Sequence, residues 1–308
     1  SALYLAMKAL GIGAGDEVMT TPCTAIPTPE AITLAGARVV FADVGNGSYN
    51  LDPVAVERAI TPKTKAILPV HLYGIPCDMD AMLDLGRRKG LPVIEDCAQA
   101  QGARWKGARV GTMGIAGCFS FFPSKNLGCF GDGGALWLRD GAARKTARMI
   151  ANHGRLSKFE HAVEGTNSRL DAIQAAVLRA KLPLLDSRNA MRRQAAAWYA
   201  EALADVKGIR LPVVPDGAEA VWHIYPVRVA DREGLQKRLQ EAKIATGLHY
   251  PMSLNLQPAY AYLGKGAGSY PNAERAFAEE LSLPMFPEIT KAQVTEVAAA
   301  VRAALTAR

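Results

Sequence analysis

Residues 92–135 read PVIEDCAQAQGARWKGARVGTMGIAGCFSFFPSKNLGCFGDGGA, and this stretch decides the fold. It opens on a short apolar run that ends in a carboxylate, Asp96. It then passes an apolar run at 118–122, a loop bounded by Pro123 and Gly128, and glycines at 131, 133 and 134. Short apolar runs bounded by turn residues read as strands buried in a sheet. Glycines at that density let the backbone pass close to whatever the strand ends present.

Upstream of this stretch the pattern alternates. Helical periodicity at 2–10 is followed by a strand at 17–21, a helix at 28–35 ended by Gly36, and a strand at 38–41. A helix at 52–60 opens on Asp52 as N-cap with Pro53 behind it. A strand at 65–69, a helix at 78–89 and a strand at 91–94 complete the series. Such alternation predicts an α/β fold with a mostly parallel sheet covered by helices on both faces, and ligands in such sheets sit at the carboxyl ends of the strands.

Downstream, 133–138 reads as a further strand, and 169–181 and 187–204 read as long amphipathic helices. Strands return at 209–211, 224–229 and 246–248, with helices at 232–241 and 291–304. That mix predicts a large domain over 1–185, then a connecting helix and a small α+β domain over 186–308. At 308 residues and 49% hydrophobic the chain is long enough for this arrangement.

Composition narrows the function. The net charge of +7 suits an anionic ligand, but Lys and Arg are scattered among acids, which argues against a nucleic-acid surface. No apolar run reaches the roughly 18 residues of a membrane span. The five cysteines are widely spaced, with no C-x-x-C pair, so reduced thiols and no metal are expected. With no signal-peptide pattern at the start, the expected location is the cytoplasm.

Asp96 stands where a buried strand ends, and a carboxylate there is costly unless it meets a cation. The protonated ring nitrogen of pyridoxal 5'-phosphate is such a cation, since that cofactor is an electron sink only while the nitrogen stays positive. Lys125 is placed to bond the cofactor aldehyde through its neutral amine, a form favoured by desolvation or nearby cations. Ser120 is a candidate phosphate ligand, and Gly131, Gly133 and Gly134 allow a tight backbone path beside it. Singly, each has a plain explanation: a strand-end Asp is often structural, a loop Lys usually solvated, and glycine runs usually turn the chain. Their combination within one stretch carries the reading.

At this point the sequence resembles the DegT/DnrJ/EryC1/StrS sugar aminotransferases of the type I aminotransferase fold. The matching segments are ALGIGAGDEV (9–18), PVHLYGIPCDMDAM (69–82), EDCAQAQGA (95–103), SFFPSKNLGCFGDGGA (120–135), NHGR (152–155), GTNSRLDAIQAA (165–176), HYPMSLNLQPAY (249–260) and LSLPMFPE (281–288). The resemblance implies that Lys125 is the Schiff-base lysine and proton carrier, and Asp96 the ring-nitrogen partner. By the same resemblance Gln99 contacts the cofactor hydroxyl and Ser120 its phosphate. Asn167 is similar to an asparagine that reaches the phosphate in the other subunit, which implies a homodimer with shared active sites. Arg169, His249 and Tyr250 look like substrate-side residues.

The implied activity moves an amino group from L-glutamate to a keto-sugar nucleotide. The segment at 249–260 and the NSR pattern at 167–169 lean towards a 3-keto hexose, with a 4-keto sugar as the alternative. Aromatic-amine synthesis within the same family, or a non-catalytic regulator that binds cofactor or sugar nucleotide, also stay open. A dehydratase, which has histidine in place of the lysine, is disfavoured by Lys125.

Two positions depart from the family pattern. A Gly-Thr pair precedes the residue matching Ser1, so an N-terminal segment is expected ahead of this chain. The backbone of Ser1 and the positive end of the helix at 2–10 remain as phosphate donors. Where many relatives stack an aromatic ring on the cofactor, this chain has Ala25, a subgroup feature that forgoes roughly 1 kcal/mol of stacking.

Ordinary roles compete at four further positions. His153 and His223 read first as hydrogen-bonded structural histidines, and Arg155 as a binder of carbonyls. Arg169 is equally read as a surface partner of Asp171 or Glu164.

Overall fold

A computed structural model describes residues 1–306 of the chain. Helices α1 (Ala2–Ala9), α2 (Pro27–Leu34), α3 (Pro53–Ala59) and α4 (Met79–Lys89) alternate with strands β1 (Glu17–Thr20), β2 (Arg38–Phe41), β3 (Thr64–Ile67) and β4 (Ile94–Asp96). The starts of α3 and α4 follow from side-chain caps. Asp52 accepts from the Val54 amide at 2.9 Å and Asp78 from the Ala81 amide at 3.0 Å, each worth about 1 kcal/mol. Gly90, in the left-handed region, ends α4.

The hairpin strands β5 (Arg104–Trp105) and β6 (Ala108–Arg109) lead to β7 (Ala116–Ser120) and β8 (Gly134–Leu138), then α5 (Gly141–Ile150), α6 (Ala172–Lys181) and α7 (Leu185–Leu203). The remainder comprises β9 (Ile209–Arg210), β10 (Ala218–Glu219), β11 (Tyr225–Val229), α8 (Arg232–Glu241), α9 (Pro271–Glu279), β12 (Glu280–Leu283) and α10 (Lys291–Thr306). Two ladders, β2-β1-β3 and β4-β7-β8, are joined by parallel bridges from Ile67 to Val93 and from Val70 to Asp96. All pairings in them are parallel except β7 with β8.

The two largest buried clusters form the cores of the two halves of the chain, and a third, with Val56, Met79, Met82 and Leu85, packs α3 and α4 on the sheet through Met19, Ile67 and Val93. The first packs α1, α2 and α5 on the sheet through Val18, Ile32, Val39, Leu68 and Ile94, and takes in Leu254, Tyr260 and Phe277 from far along the chain. The second packs α7, α8 and α10 on the antiparallel sheet β12-β11-β9 through Tyr199, Val227, Leu235, Leu281 and Val301. Each fully buried aliphatic side chain in them contributes about 1.5–3 kcal/mol.

Several elements differ from expectation. The strand expected at 91–94 starts only at Ile94, because Pro92 has no amide to offer and instead accepts from Ile67 at 3.0 Å. The strand expected at 246–248 is a single bridge between Gly247 and Ser282; the next free amide, of His249, goes to a carboxylate. The helix expected from 169 begins at Ala172, since Asp171 is extended. Helices α5 and α9 carried no expectation; both are amphipathic, burying Ala143, Ala147 and Ile150, and Ala273, Ala276 and Phe277.

Candidate active site

Asp96 ends β4 and is buried. One carboxylate oxygen accepts from Thr28 Oγ1 at 2.8 Å and the other from the Ala98 amide at 3.0 Å. Thr28 is itself 3.0 Å from Thr24. Burial raises the Asp96 carboxyl above its ordinary range, against the pull of those bonds and of the Lys125 and His71 charges. Among the described residues no side chain forms an ion pair with Asp96. Each oxygen therefore keeps a lone pair for an incoming cationic N–H.

Its neighbour Glu95 points the opposite way, as alternation along a strand requires. The Glu95 carboxylate accepts from the amides of Gly111, Met113 and Gly114 at 2.7–2.9 Å and lies 3.2 Å from His71 Nε2. Burial opposes its charge, yet the His71 bond and the Gly114 and Gly111 amides hold it below the usual carboxylate range. Ligand atoms of His71, Glu95 and Cys97 lie within 4.8 Å of one another. They are spent on hydrogen bonds, because His71 Nδ1 also accepts from the Cys77 amide at 3.0 Å.

Lys125 sits in the turn after β7, half-buried, its amide bonded to the Phe122 carbonyl at 2.9 Å. Gly128 closes that turn, and a Cβ there would lie 2.4 Å from the Pro123 carbonyl oxygen, so only glycine fits. Desolvation lowers the Lys125 pKa and Asp96 opposes that shift. Its amine makes no hydrogen bond among the described residues. A partly desolvated amine near an unpaired buried carboxylate is the pair expected above, and it fits an aldehyde-bearing pyridinium cofactor.

Gln99 is oriented unambiguously. Its amide oxygen accepts from the Tyr73 N–H at 2.6 Å, which turns the NH2 towards the Tyr250 hydroxyl at 3.5 Å. The amide thus serves as a donor, which suits a phenolic hydroxyl of the cofactor. Ser120, at the end of β7, accepts from the Phe122 amide at 3.3 Å and keeps its own proton for donation. Ser1 is exposed at the start of α1 and makes no side-chain cap bond. Ala25 lies on the approach to α2, its carbonyl bonded to the Thr28 amide.

Of the polar wall behind Lys125, the sequence reading held only His223, as a hydrogen-bonded structural histidine. Asn126 Nδ2 donates to Asn189 Oδ1 and to the Val221 carbonyl, both at 2.9 Å, and its Oδ1 lies 3.2 Å from His223 Nδ1. Asn189 in turn donates to the Gln101 carbonyl, and Gln101 donates to the Ser120 carbonyl. Burial pushes the His223 pKa well down, assisted by the Lys125 and Arg192 charges, so that ring stays neutral. For the rest of the wall, asparagine at 126, next to the lysine, was the available signal.

His249 and Tyr250 flank the same space. Burial and then Lys125 lower the His249 pKa, and burial pushes the Tyr250 hydroxyl up to about 12. Asn167 and Arg169 lie apart from this group. Both are exposed, Asn167 bridging to Asn152 and Arg169 donating to Asn152 Oδ1 at 3.0 Å. The expected pairing of Arg169 with Asp171 or Glu164 is thereby replaced. His153 is likewise exposed, its carbonyl meeting His161 Nδ1 at 2.7 Å, whereas His223 joins the wall.

Residues 1–302 match the DegT/DnrJ/EryC1/StrS aminotransferase family. The chain is 46% identical to the dTDP-3-amino-3,4,6-trideoxy-alpha-D-glucose transaminase of Streptomyces venezuelae, over 98% of this chain and 79% of that protein. It is 44% identical to the UDP-N-acetyl-3-dehydro-alpha-D-glucosamine 3-aminotransferase of Acidithiobacillus ferrooxidans, over 99% and 82%. A crystal structure of S. venezuelae DesV in complex with a ketimine intermediate superposes with a TM-score of 0.95 at 46% identity, covering 98% of this chain and 81% of that one.

Proposed function

We infer that this chain, which belongs to the DegT/DnrJ/EryC1/StrS aminotransferase family, is a pyridoxal-phosphate-dependent aminotransferase acting on a keto-sugar nucleotide, with the amino group placed at C3 of the hexose. The relatives' names place amination at C3 on both dTDP and UDP sugars, which supports a 3-keto substrate. L-glutamate is the proposed donor. The observation that carries the reading is that Asp96, buried and without an ion-pair partner, and Lys125, desolvated and without a hydrogen bond at its amine, both among the described residues, lie close enough for each to shift the other's titration.

When bound, pyridoxal 5'-phosphate supplies the electron sink that stabilises negative charge at the substrate carbon. The chain's own part is positional and acid–base. Asp96, its geometry set by Thr28 and Ala98, would hold a proton on the ring nitrogen. Gln99 would donate to the ring hydroxyl, and Ser120 with the backbone of Ser1 would take the phosphate. Lys125 would hold the cofactor through its amine and, once released, would hold and move a proton at its Nζ. His249 and Tyr250 line the substrate side. The division of labour follows the proposed units, 1–185 for the cofactor and 186–308 for the small domain, with 254–277 packed back on the first core.

A homodimer with shared sites completes the proposal. Phe130, Leu156, Phe159, Ile173 and Leu182 are exposed at 77%, 60%, 85%, 74% and 56%, an apolar surface of the kind a second copy covers. Asn167 and Arg169 lie in the same stretch of chain and would enter the partner's site. The five thiols are buried and unpaired, as suits a reducing cytoplasm. Borohydride reduction of the holoenzyme followed by peptide mapping tests the core of the proposal: the label is expected on Lys125, and an unlabelled Lys125 refutes it.

A further inference from the structure

His249 is fixed from several directions. Its amide donates to Glu280 Oε2 at 2.9 Å, and its carbonyl accepts from the Tyr73 hydroxyl. Its Nδ1 lies 2.9 Å from Ser282 Oγ. The ring covers Gly247, where a Cβ would stand 2.8 Å from Cε1. Ser282 Oγ also donates to Glu280 Oε1. Nε2 has no hydrogen-bond partner among the described residues, and the ring feels the Lys125 charge.

A hydroxyl has one proton to give, so this chain of bonds has a direction. While Glu280 is a carboxylate both of its oxygens accept, and the proton of Ser282 goes to Oε1. Nδ1 must then carry a hydrogen in order to bond Oγ, which makes the neutral ring the Nδ1–H tautomer and leaves a lone pair on Nε2. We propose that Ser282 and Glu280 are positioning residues for His249, fixing Nε2 as a hydrogen-bond acceptor that faces the Lys125 site and receives a hydroxyl of the sugar. A lone pair there welcomes O–H donors and turns away anions. The choice of a sugar hydroxyl rests on the aminotransferase reading; the tautomer does not.

Protonation of Glu280 reverses the chain. Oε2 is already occupied by the His249 amide, so the acid proton sits on Oε1 and runs to Ser282, whose hydrogen turns to Nδ1. Nε2 then becomes a donor. Glu280 is buried, and desolvation pushes its pKa up to about 7 against the Ser282 and His249 bonds. The charged groups around it are few. Arg232 of α8 lowers that pKa, but its Nη1 is engaged by the Pro251 and Phe277 carbonyls. Arg228, its cross-strand neighbour on β11, is paired with Glu279 at 2.9 Å. Cys23, Tyr49, Tyr73 and Tyr250 face it with thiol and phenol groups whose pKa values it helps to raise, so they remain neutral.

The test reads the ring directly. In the 15N-labelled holoenzyme, long-range proton–nitrogen correlation at about pH 8.5, assigned through His249→Gln, should show His249 as the Nδ1–H tautomer. Glu280→Gln mimics the protonated acid, its NH2 donating to Ser282, and should convert His249 to the Nε2–H tautomer at the same pH. An Nε2–H ring in the wild type, or an unchanged ring in Glu280→Gln, overturns the proposal. If Glu280→Gln does not fold, Ser282→Ala serves: both tautomers should appear, and a pure Nδ1–H ring refutes the assignment. Glutamate-dependent bleaching of the wild-type holoenzyme chromophore tests the aminotransferase reading separately, so either can fail alone.

Discussion

Asp96 and Lys125 share one buried site without touching. No hydrogen bond or ion pair joins them, yet each shifts the other's titration: burial raises the acid and Lys125 pulls it back, burial lowers the amine and Asp96 holds it up. Asp96 would hold a protonated ring nitrogen, and the Lys125 amine would hold an aldehyde.

Asp96→Ala should therefore act twice. Turnover is expected to fall by on the order of a thousandfold, since the ring nitrogen loses the anion that keeps it protonated. The Lys125 amine of the apoprotein should also become less basic, because the one charge raising its pKa is gone. Steady-state rates and the pH dependence of amine acylation measure these; turnover within tenfold of wild type would contradict the role.

Asn126→Ala removes the bonds to Asn189, Val221 and His223 together. A buried group left unpaired costs about 1–3 kcal/mol, so the urea midpoint should drop. His223 loses the contact that orients it, and turnover should fall with it even where the variant remains folded. Unaltered stability would show that water replaces the asparagine at no cost.

Glu280 makes stability depend on pH in a defined direction. Its folded pKa of about 7 lies above the ordinary 4.5, so the folded state binds more protons between those values. Its stabilising contribution is full below about pH 4.5 and is lost as pH rises through 7. Glu280→Gln has no such loss. Its unfolding free energy relative to wild type should therefore rise between about pH 5 and pH 8, by at most about 3 kcal/mol. A difference that stays flat with pH would show that the carboxylate is not strained by burial.

Mixing inactive partners tests the shared sites. If Asn167 serves the neighbouring subunit, a hybrid of Lys125→Ala and Asn167→Ala chains places both defects in one site and leaves the other intact. After subunit exchange about a quarter of sites should be whole, and activity should return to about that level. No recovery would mean that each chain's asparagine serves its own site.

Much of this was legible in the sequence because it rests on local rules. The cap at Asp52 and the alternation up to Asp96 obey short-range physics, and Lys125 and Asp96 belong to one continuous stretch. Of the polar wall only His223 was legible, as a hydrogen-bonded histidine. Asn126, Asn189, Gln101 and His223 are far apart in the chain, and nothing local marks a carbonyl or amide that will be buried. His249 was visible, but Glu280 and Ser282 behind it belong to a strand whose four residues are all buried and show no alternation.

Tyr73 has a left-handed backbone, φ 60, in the turn at Leu72–Gly74. Its N–H holds Gln99, its carbonyl receives the His223 amide at 2.9 Å, and its hydroxyl meets the His249 carbonyl. One residue, through its N–H, its carbonyl and its hydroxyl, thus works as a strut between three walls of the cleft. Tolerances for the bound ring, the neutral imidazole and the sugar pocket are set at a single bolt outside the chemistry.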